Sequence, residues 1–276
     1  MGVLAGRVAV VTGASRGIGE YVARRFAAEG AAVAVVARTQ EQTDERLPGT
    51  IHETVATIRK AGGTAVAIQA DLSKPADRAR IIDEAERELG PVDILVNNAA
   101  VTFFLPVADF PGRRYDLMFE VQVKAPFELS QRVLPGMRER GAGWILNISS
   151  IAAVHPTAIP PSRDAGIGGT VYGMCKAALE RLTTGLAAEV YADGIAVNVL
   201  SPTRGVPTPG VLFHHLITDV DQALASGDAE SPEMFAEASL ALCSGDPAVL
   251  TGRVAYSRQL VAELGRTPGP LDGPAS

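Results

Sequence analysis

The chain holds only two cysteines and four histidines in 276 residues. Cys175 and Cys243 are too few and too far apart for a disulfide framework or a metal-ligand spacing, which fits a reducing compartment and makes a cytoplasmic location the expectation. His52, His155 and the His214-His215 doublet form no set with carboxylates at ligand spacing, so loop or core roles are expected for them and no metal site. Aromatic residues make up 5% of the chain; with Met137 and Met174 they read as core. Charge is not concentrated either. The formal net charge of -6 is spread without a block of one sign, which leaves no electrostatic footprint for nucleic acid or an anionic membrane. The uncharged stretch 144–162, part of the longest such run, carries Asn147, His155 and three prolines, so it reads as a strand entering a loop, and no membrane span is expected. The start, MGVLAGRVAVVTG, has no long apolar region after a basic leader, and Gly6 stands where an N-terminal lipidation signal needs Ser or Thr.

What is present is a chain of 47% hydrophobic and 20% charged residues, an ordinary globular composition long enough for one large α/β domain or two small ones. Short apolar runs recur along it: 7–13, 32–38, 64–71, 92–98, 143–149, 195–201 and 252–257. They are continuous rather than alternating, as strands of a parallel sheet covered on both faces must be. Between them Ile18, Val22 and Phe26 recur at helical spacing, as do Leu179, Leu182, Leu186 and Val190. The alternation predicts a doubly wound parallel sheet, and no linker divides it. A single domain over 1–264 is expected, followed by a flexible Pro/Gly-rich tail over 265–276.

Ligands of such sheets bind beyond the carboxyl ends of the strands, so the loops after the apolar runs carry the argument. After the first comes TGASRGIG. Gly13 permits a tight turn, Gly17 and Gly19 allow close backbone approach to a pyrophosphate, and the following helix offers its N-terminal N–H groups to the anion. The second strand ends at Ala37-Arg38, with no acidic residue before Glu41 to accept from ribose hydroxyls. Arg38 and Arg16 could clamp a 2'-phosphate through charge-assisted bonds, or lie solvated at the surface. Asp71 could bind an adenine amino group or cap the next helix. The fourth and fifth strands end in NNAA and NISS, polar groups beside small ones, which suit a cleft that admits a flat ring. In TVYGMCKAAL, Tyr172 and Lys176 share one helix face four residues apart; taken alone, such a pair is also compatible with a plain surface position.

TGASRGIG, NNAA, NISS and YGMCK in this order resemble the short-chain dehydrogenases/reductases, over about residues 5–256. The resemblance implies a single-domain Rossmann fold with a seven-stranded sheet, NADP(H) or NAD(H) as cofactor, and hydride transfer between it and an alcohol or carbonyl. It implies catalytic roles for Ser150, Tyr172 and Lys176. It places the cofactor against Gly13, Ser15, Arg16, Gly17, Ile18, Gly19, Arg38, Asp71, Leu72 and Asn98, with Tyr172 and Lys176 joining them. A phenol of ordinary pKa about 10 is poorly matched to acid/base work at neutral pH. Lys176 and an oxidised nicotinamide are expected to lower it, roughly three units corresponding to about 4 kcal/mol. Absence of an acid after the second strand favours NADP(H).

Departures from the family pattern are equally specific. Residues 151–171 separate Ser150 from Tyr172, a longer stretch than usual, and the surplus over 155–169 reads as a substrate-facing or partner-facing loop. A second insertion follows Arg38, and 201–210 replaces the usual Pro-Gly turn. Gln122, in FEVQVKAPF, stands where relatives have an asparagine that helps hold a water between lysine and solvent. These features are similar to bacterial hydroxysteroid dehydrogenase-like members, pointing to apolar carbonyl or alcohol substrates. The resemblance further implies a homodimer or homotetramer pairing through helices near 112–139 and 171–193. The alternative function is a catalytically silent NADP(H)-binding sensor, which would need the glycine loop alone.

Overall fold

The computed structural model describes residues 2–42, 44–155 and 168–273. In VAVVT, Val8–Thr12, every residue is buried, a condition met by a strand covered on both faces. That segment is β1. It is followed by α1 (Gly17–Ala28), β2 (Ala32–Ala37), α2 (Ile51–Lys60), β3 (Thr64–Gln69), α3 (Pro75–Leu89) and β4 (Ile94–Asn97). Then α4 (Gly112–Phe119) runs through a π-turn (Glu120–Lys124) into α5 (Ala125–Arg140), ahead of β5 (Gly143–Ile148), α6 (Thr170–Val190) and β6 (Ile195–Ser201). The chain closes with α7 (Pro209–Phe213), α8 (Val220–Ser226), α9 (Pro232–Ser244), β7 (Val254–Tyr256) and α10 (Ser257–Glu263).

The seven strands pair in the order β3-β2-β1-β4-β5-β6-β7, all parallel. This is a doubly wound α/β sheet of Rossmann type. Chain order reverses between β1 and β4, so the crevice at their carboxyl ends is the place the topology reserves for a ligand. One apolar layer contains Val22, Phe26, Ile58, Phe235 and Leu240; the opposite layer contains Ile81, Leu129, Met137, Leu186 and Val190. The α6 stripe therefore serves the protein's own sheet: Leu186 and Val190 belong to that second layer, and Leu179 is 1% exposed. The inserted segment 155–169 lies outside the described residues except for His155, Gly168 and Gly169.

The stretch after α10, read from its prolines and glycines as a flexible tail, is held against α1 and α9 through residue 273. Leu271 is buried, Arg24 Nε donates to Asp272 Oδ1 at 2.8 Å, and Arg266 Nε donates to Glu237 Oε1 at 2.7 Å. Behind these contacts lies Arg25, fully buried on α1, with Nη1 2.6 Å from Glu29 Oε1 and Nη2 3.0 Å from Glu237 Oε2. Its Nη1 also donates to the Gly273 carbonyl. Removing one member of such a buried set strands the opposite charges, at a cost of about 3–5 kcal/mol. Arg25→Met is expected to lower the unfolding free energy by about 3 kcal/mol in urea titration, and a loss below about 1 kcal/mol would show the network to be dispensable.

Candidate active site

The turn after β1 depends on glycine for two reasons. Gly13 and Gly17 have φ of 67° and 59°, the left-handed region that residues with a Cβ seldom adopt. At Gly19 the constraint is space: an added Cβ would lie 2.4 Å from Asn98 Nδ2 and 2.5 Å from the Gly13 carbonyl oxygen. Asn98 Nδ2 donates to the carbonyls of Thr12 and Gly13 at 2.8 and 3.2 Å, and its backbone N–H donates to Thr12 Oγ1 at 3.0 Å. Sequence reasoning assigned Gly19 to pyrophosphate approach and Asn98 to the cofactor. In the fold the missing Cβ admits Asn98, and the Asn98 amide nitrogen is committed to tying β4 to the glycine turn. Gly17 faces Thr208, whose Cβ would be 3.1 Å from an added methyl.

Helix α1 begins without a side-chain cap from Arg16, so its first N–H groups are open to an anion at the switch point. Ser15 is buried in the turn, and Ile18 packs against the core. Arg16 Nη2 donates to the Gly49 carbonyl at 2.8 Å and reaches Thr39 Oγ1 at 3.4 Å, while its Nε is buried with no partner among the described residues. Burial, and then the charge of Arg38, push the Arg16 pKa down. Arg38 itself is exposed. Two neighbouring guanidiniums that repel one another, one with an unused donor, fit a bound anion such as a 2'-phosphate. Asp71 Oδ1 accepts from Ser73 N and Oγ at 3.0 and 2.8 Å, closing the turn before α3, which has no side-chain cap. Leu72 is buried, and its carbonyl accepts from Arg78 Nη1 at 2.7 Å.

Ser150 follows β5, and α6 brings Tyr172 and Lys176 beside it. Lys176 is 3% exposed, its Nζ donating to the Ile148 carbonyl at 2.9 Å and lying 5.5 Å from the centre of the Tyr172 ring. The shared helix face thus brings the two groups together as the spacing requires. Burial pushes the Tyr172 phenol above its ordinary range, the Ser150 hydroxyl draws it back in part, and Cys175 raises it further. The lowering expected from Lys176 together with an oxidised nicotinamide would have to work against this burial. Burial lowers Lys176 to about 8. Gln122 sits 1% exposed on the π-turn, an element that often marks functional positions. Its Nε2 donates to the Val101 carbonyl at 2.9 Å, and its Oε1 is buried without a partner among the described residues, a ready acceptor for one water.

Three neighbours were not singled out from the sequence. Phe104 stands edge-on to Tyr172 with centroids 6.0 Å apart, Glu180 Oε1 accepts from Ser149 Oγ at 2.8 Å, and Thr208 covers the glycine turn. A lone Phe in a loop carries no pattern, but Glu180 lies four residues beyond Lys176 and could have been found by extending the same helix face.

A lysine whose pKa falls from 10.5 to about 8 on folding costs stability wherever it must be charged in the folded state. That cost is complete below about pH 8 and is relieved as pH rises toward 10.5, where the unfolded chain binds more protons. It amounts to about 3 kcal/mol, against about 1 kcal/mol for the lost Ile148 hydrogen bond. Lys176→Met should therefore be more stable than the native protein by about 2 kcal/mol at pH 7 and less stable by about 1 kcal/mol above pH 10.5, where only the lost hydrogen bond remains. Denaturant titrations at the two pH values check this; a destabilised variant at pH 7 would contradict it.

The family model for the short chain dehydrogenases matches residues 7–209. A short chain dehydrogenase of Pseudocercospora fijiensis is 34% identical over 265 residues, covering 91% of this chain and 80% of its own. Among solved structures, a 7α-hydroxysteroid dehydrogenase complexed with NADH and 7-oxo glycochenodeoxycholic acid superposes with a TM-score of 0.75 at 30% identity, covering 92% of this chain and 93% of its own. A metagenomic short-chain oxidoreductase in complex with NADP gives a TM-score of 0.72 at 28% identity, covering 92% and 98%. With its switch-point glycine turn and the Ser150, Tyr172 and Lys176 cluster at the same end of the sheet, the chain belongs to the short-chain dehydrogenase/reductase family of oxidoreductases, which work with a nicotinamide cofactor.

Proposed function

We propose that the protein is an NADP(H)-dependent oxidoreductase that interconverts a secondary alcohol and a ketone on an apolar substrate. The observation that carries this reading is the meeting of Tyr172, Ser150 and Lys176 at the carboxyl end of the sheet, the end from which α1 also starts. A nicotinamide cofactor held here would supply or take up the hydride at the substrate carbon. Tyr172 gives its proton to the substrate oxygen during reduction and recovers it during oxidation; its raised pKa keeps it in the donor form at neutral pH. Ser150 donates a hydrogen bond to the same oxygen as charge develops there. Lys176, protonated below about pH 8, favours the tyrosinate that forms transiently and holds ribose hydroxyls. Arg16 and Arg38 take the 2'-phosphate. The apolar class of substrate is supported by the exposed Ile151, Met174 and Leu212 on segments next to these residues and by the steroid ligand of the solved 7α-hydroxysteroid dehydrogenase.

The same reading treats 1–264 as one domain and the chain as a cytoplasmic homodimer or homotetramer, and a monomeric mass in light scattering at micromolar concentration would count against that assembly. No helix among the described residues is long and apolar enough to cross a membrane.

The decisive experiment follows oxidation of NADPH and NADH against ketones, quinones and steroid-like carbonyls, with binding measured in parallel by calorimetry. NADPH should bind more tightly than NADH, and Arg38→Ala should narrow the gap by about 1.5–3 kcal/mol. Tyr172→Phe should bind NADPH normally and turn nothing over. Equal affinities would refute the cofactor preference, and undiminished turnover by the phenylalanine variant would refute the mechanism.

Gln122 generates a separate expectation. It places an amide at the buried end of the site with one extra methylene and one extra rotatable bond compared with the family asparagine. A displaced relay of this kind can cost up to about a hundredfold in rate. Gln122→Asn is expected to leave NADPH affinity unchanged and to raise turnover where proton delivery limits it, and a fall in turnover would show the glutamine to be adapted to this site.

A further inference from the structure

Helix α7 buries none of its residues, yet it lies against the candidate active site. At its start Thr208 Oγ1 accepts from Val211 N at 3.2 Å, and Tyr21 Oη donates to the Pro207 carbonyl at 3.2 Å. At its far end the helix closes at Phe213, and His214 follows. Immediately after it, His215 adopts φ of 54°, a conformation that non-glycine residues hold only when their surroundings impose it. The contacts there are aromatic and form a continuous series. Phe213 meets the His214 ring at 5.2 Å and 85°, His214 meets Phe104 at 5.4 Å and 89°, and Phe104 meets Tyr172 at 6.0 Å and 71°.

The outer end of the series is closed by a residue from the segment inserted after β2. The Arg46 guanidinium lies 5.1 Å from the centre of the Phe213 ring. It is held in that orientation by Asp44, whose Oδ1 and Oδ2 accept from Nε and Nη2 at 3.0 and 2.8 Å. The same hydrogen bonds hold the Asp44 carboxyl at about 2, so both partners are charged throughout the neutral range.

We propose that Arg46 is a positioning residue for the substrate site: through Phe213 and His214 it fixes Phe104 as the aromatic wall beside Tyr172, against which the apolar body of a carbonyl substrate lies. The inference rests on the oxidoreductase reading and deepens it, since it ties the adenosine end of the site to the substrate end. A wall already ordered spares the substrate the cost of ordering it on binding. The contact that secures it is an exposed cation–π pair, so its removal releases the wall only in part. The expected effect is a change of about two- to fivefold.

The test uses the full chain with NADPH saturating. Arg46→Ala should raise KM for an apolar ketone about two- to fivefold while leaving kcat and NADPH affinity unchanged, Arg46→Lys should recover most of the loss, and Phe213→Ala should raise KM further in the same direction. A second arm needs no turnover. The His214 ring-proton NMR signals, shifted by the Phe104 and Phe213 rings, should move toward free-imidazole positions in Arg46→Ala, and amides 210–216 should exchange faster. If those signals and exchange rates stay unchanged, or KM does not move in a turning-over enzyme, the inference is overturned. Movement of the signals in a protein that reduces no carbonyl would uphold the contact and fault the oxidoreductase reading instead.

Discussion

One side-chain amide holds the two halves of the sheet's ligand crevice in register. Asn98 Nδ2 reaches from the end of β4 to the carbonyls of Thr12 and Gly13 at the end of β1, across the place where strand order reverses. Buried carbonyls at a strand-to-helix turn need donors, and the Asn98 amide supplies one to each of these two. Once the amide fills this position, Gly13 and Gly19 can carry no Cβ. The chain must then enter α1 at Gly17 with its N–H groups facing outward. The anion-binding end of the site is thus a consequence of satisfying β1. Thr208 settling against Gly17 brings the segment after β6 to the same spot.

At the other side of the crevice the same demand is met by a charge. Lys176 Nζ satisfies the Ile148 carbonyl from inside the protein, at a position where burial lowers its own pKa to about 8 and raises that of Tyr172. The two shifts have opposite meanings. The lysine is brought near the pH at which it can lose its proton, while the tyrosine is made more reluctant to lose one. Each is therefore strained toward neutrality by the low dielectric, and added positive charge in the cleft would relieve the tyrosine while adding to the strain on the lysine. A protein can retain such a pair only because stability is supplied elsewhere, here by two dry apolar layers and by the Arg25 and Glu237 network that clasps the C-terminal stretch.

The strands were legible because parallel strands buried on both faces carry unbroken apolar runs, and VAVVT, AVAVVA and IAVNVLS lie in β1, β2 and β6 nearly end to end. Tyr172 and Lys176 were legible because a helix puts i and i+4 on one face. Asn98 was legible as a polar residue at a strand end, but its bonds to Thr12 and Gly13 were not, since sequence does not show which carbonyls lack donors. The C-terminal stretch was misread for the opposite reason. Prolines and glycines forbid regular structure without forbidding packing, and Asp272 and Leu271 find fixed partners in α1 and the core. The π-turn at Gln122 left no trace, because one extra residue in a helix alters no local propensity.

Variation in this fold is confined to the segments between its strands and helices, and the segment between β2 and α2 shows how a loop can act at two distances. Gly49, at φ of 111°, packs so closely that a Cβ would lie 2.4 Å from the Ser15 carbonyl. Its own carbonyl holds Arg16, and Thr50 caps α2 by accepting from Glu53 N. The end of the segment is therefore fixed to the glycine turn. Arg46 precedes Gly49 by three residues, which limits its reach to the neighbouring surface, and the group it meets there is Phe213. A displacement at the adenosine end would reach the ring series ending at Tyr172 through this short tether only as far as the exposed Arg46–Phe213 contact transmits it.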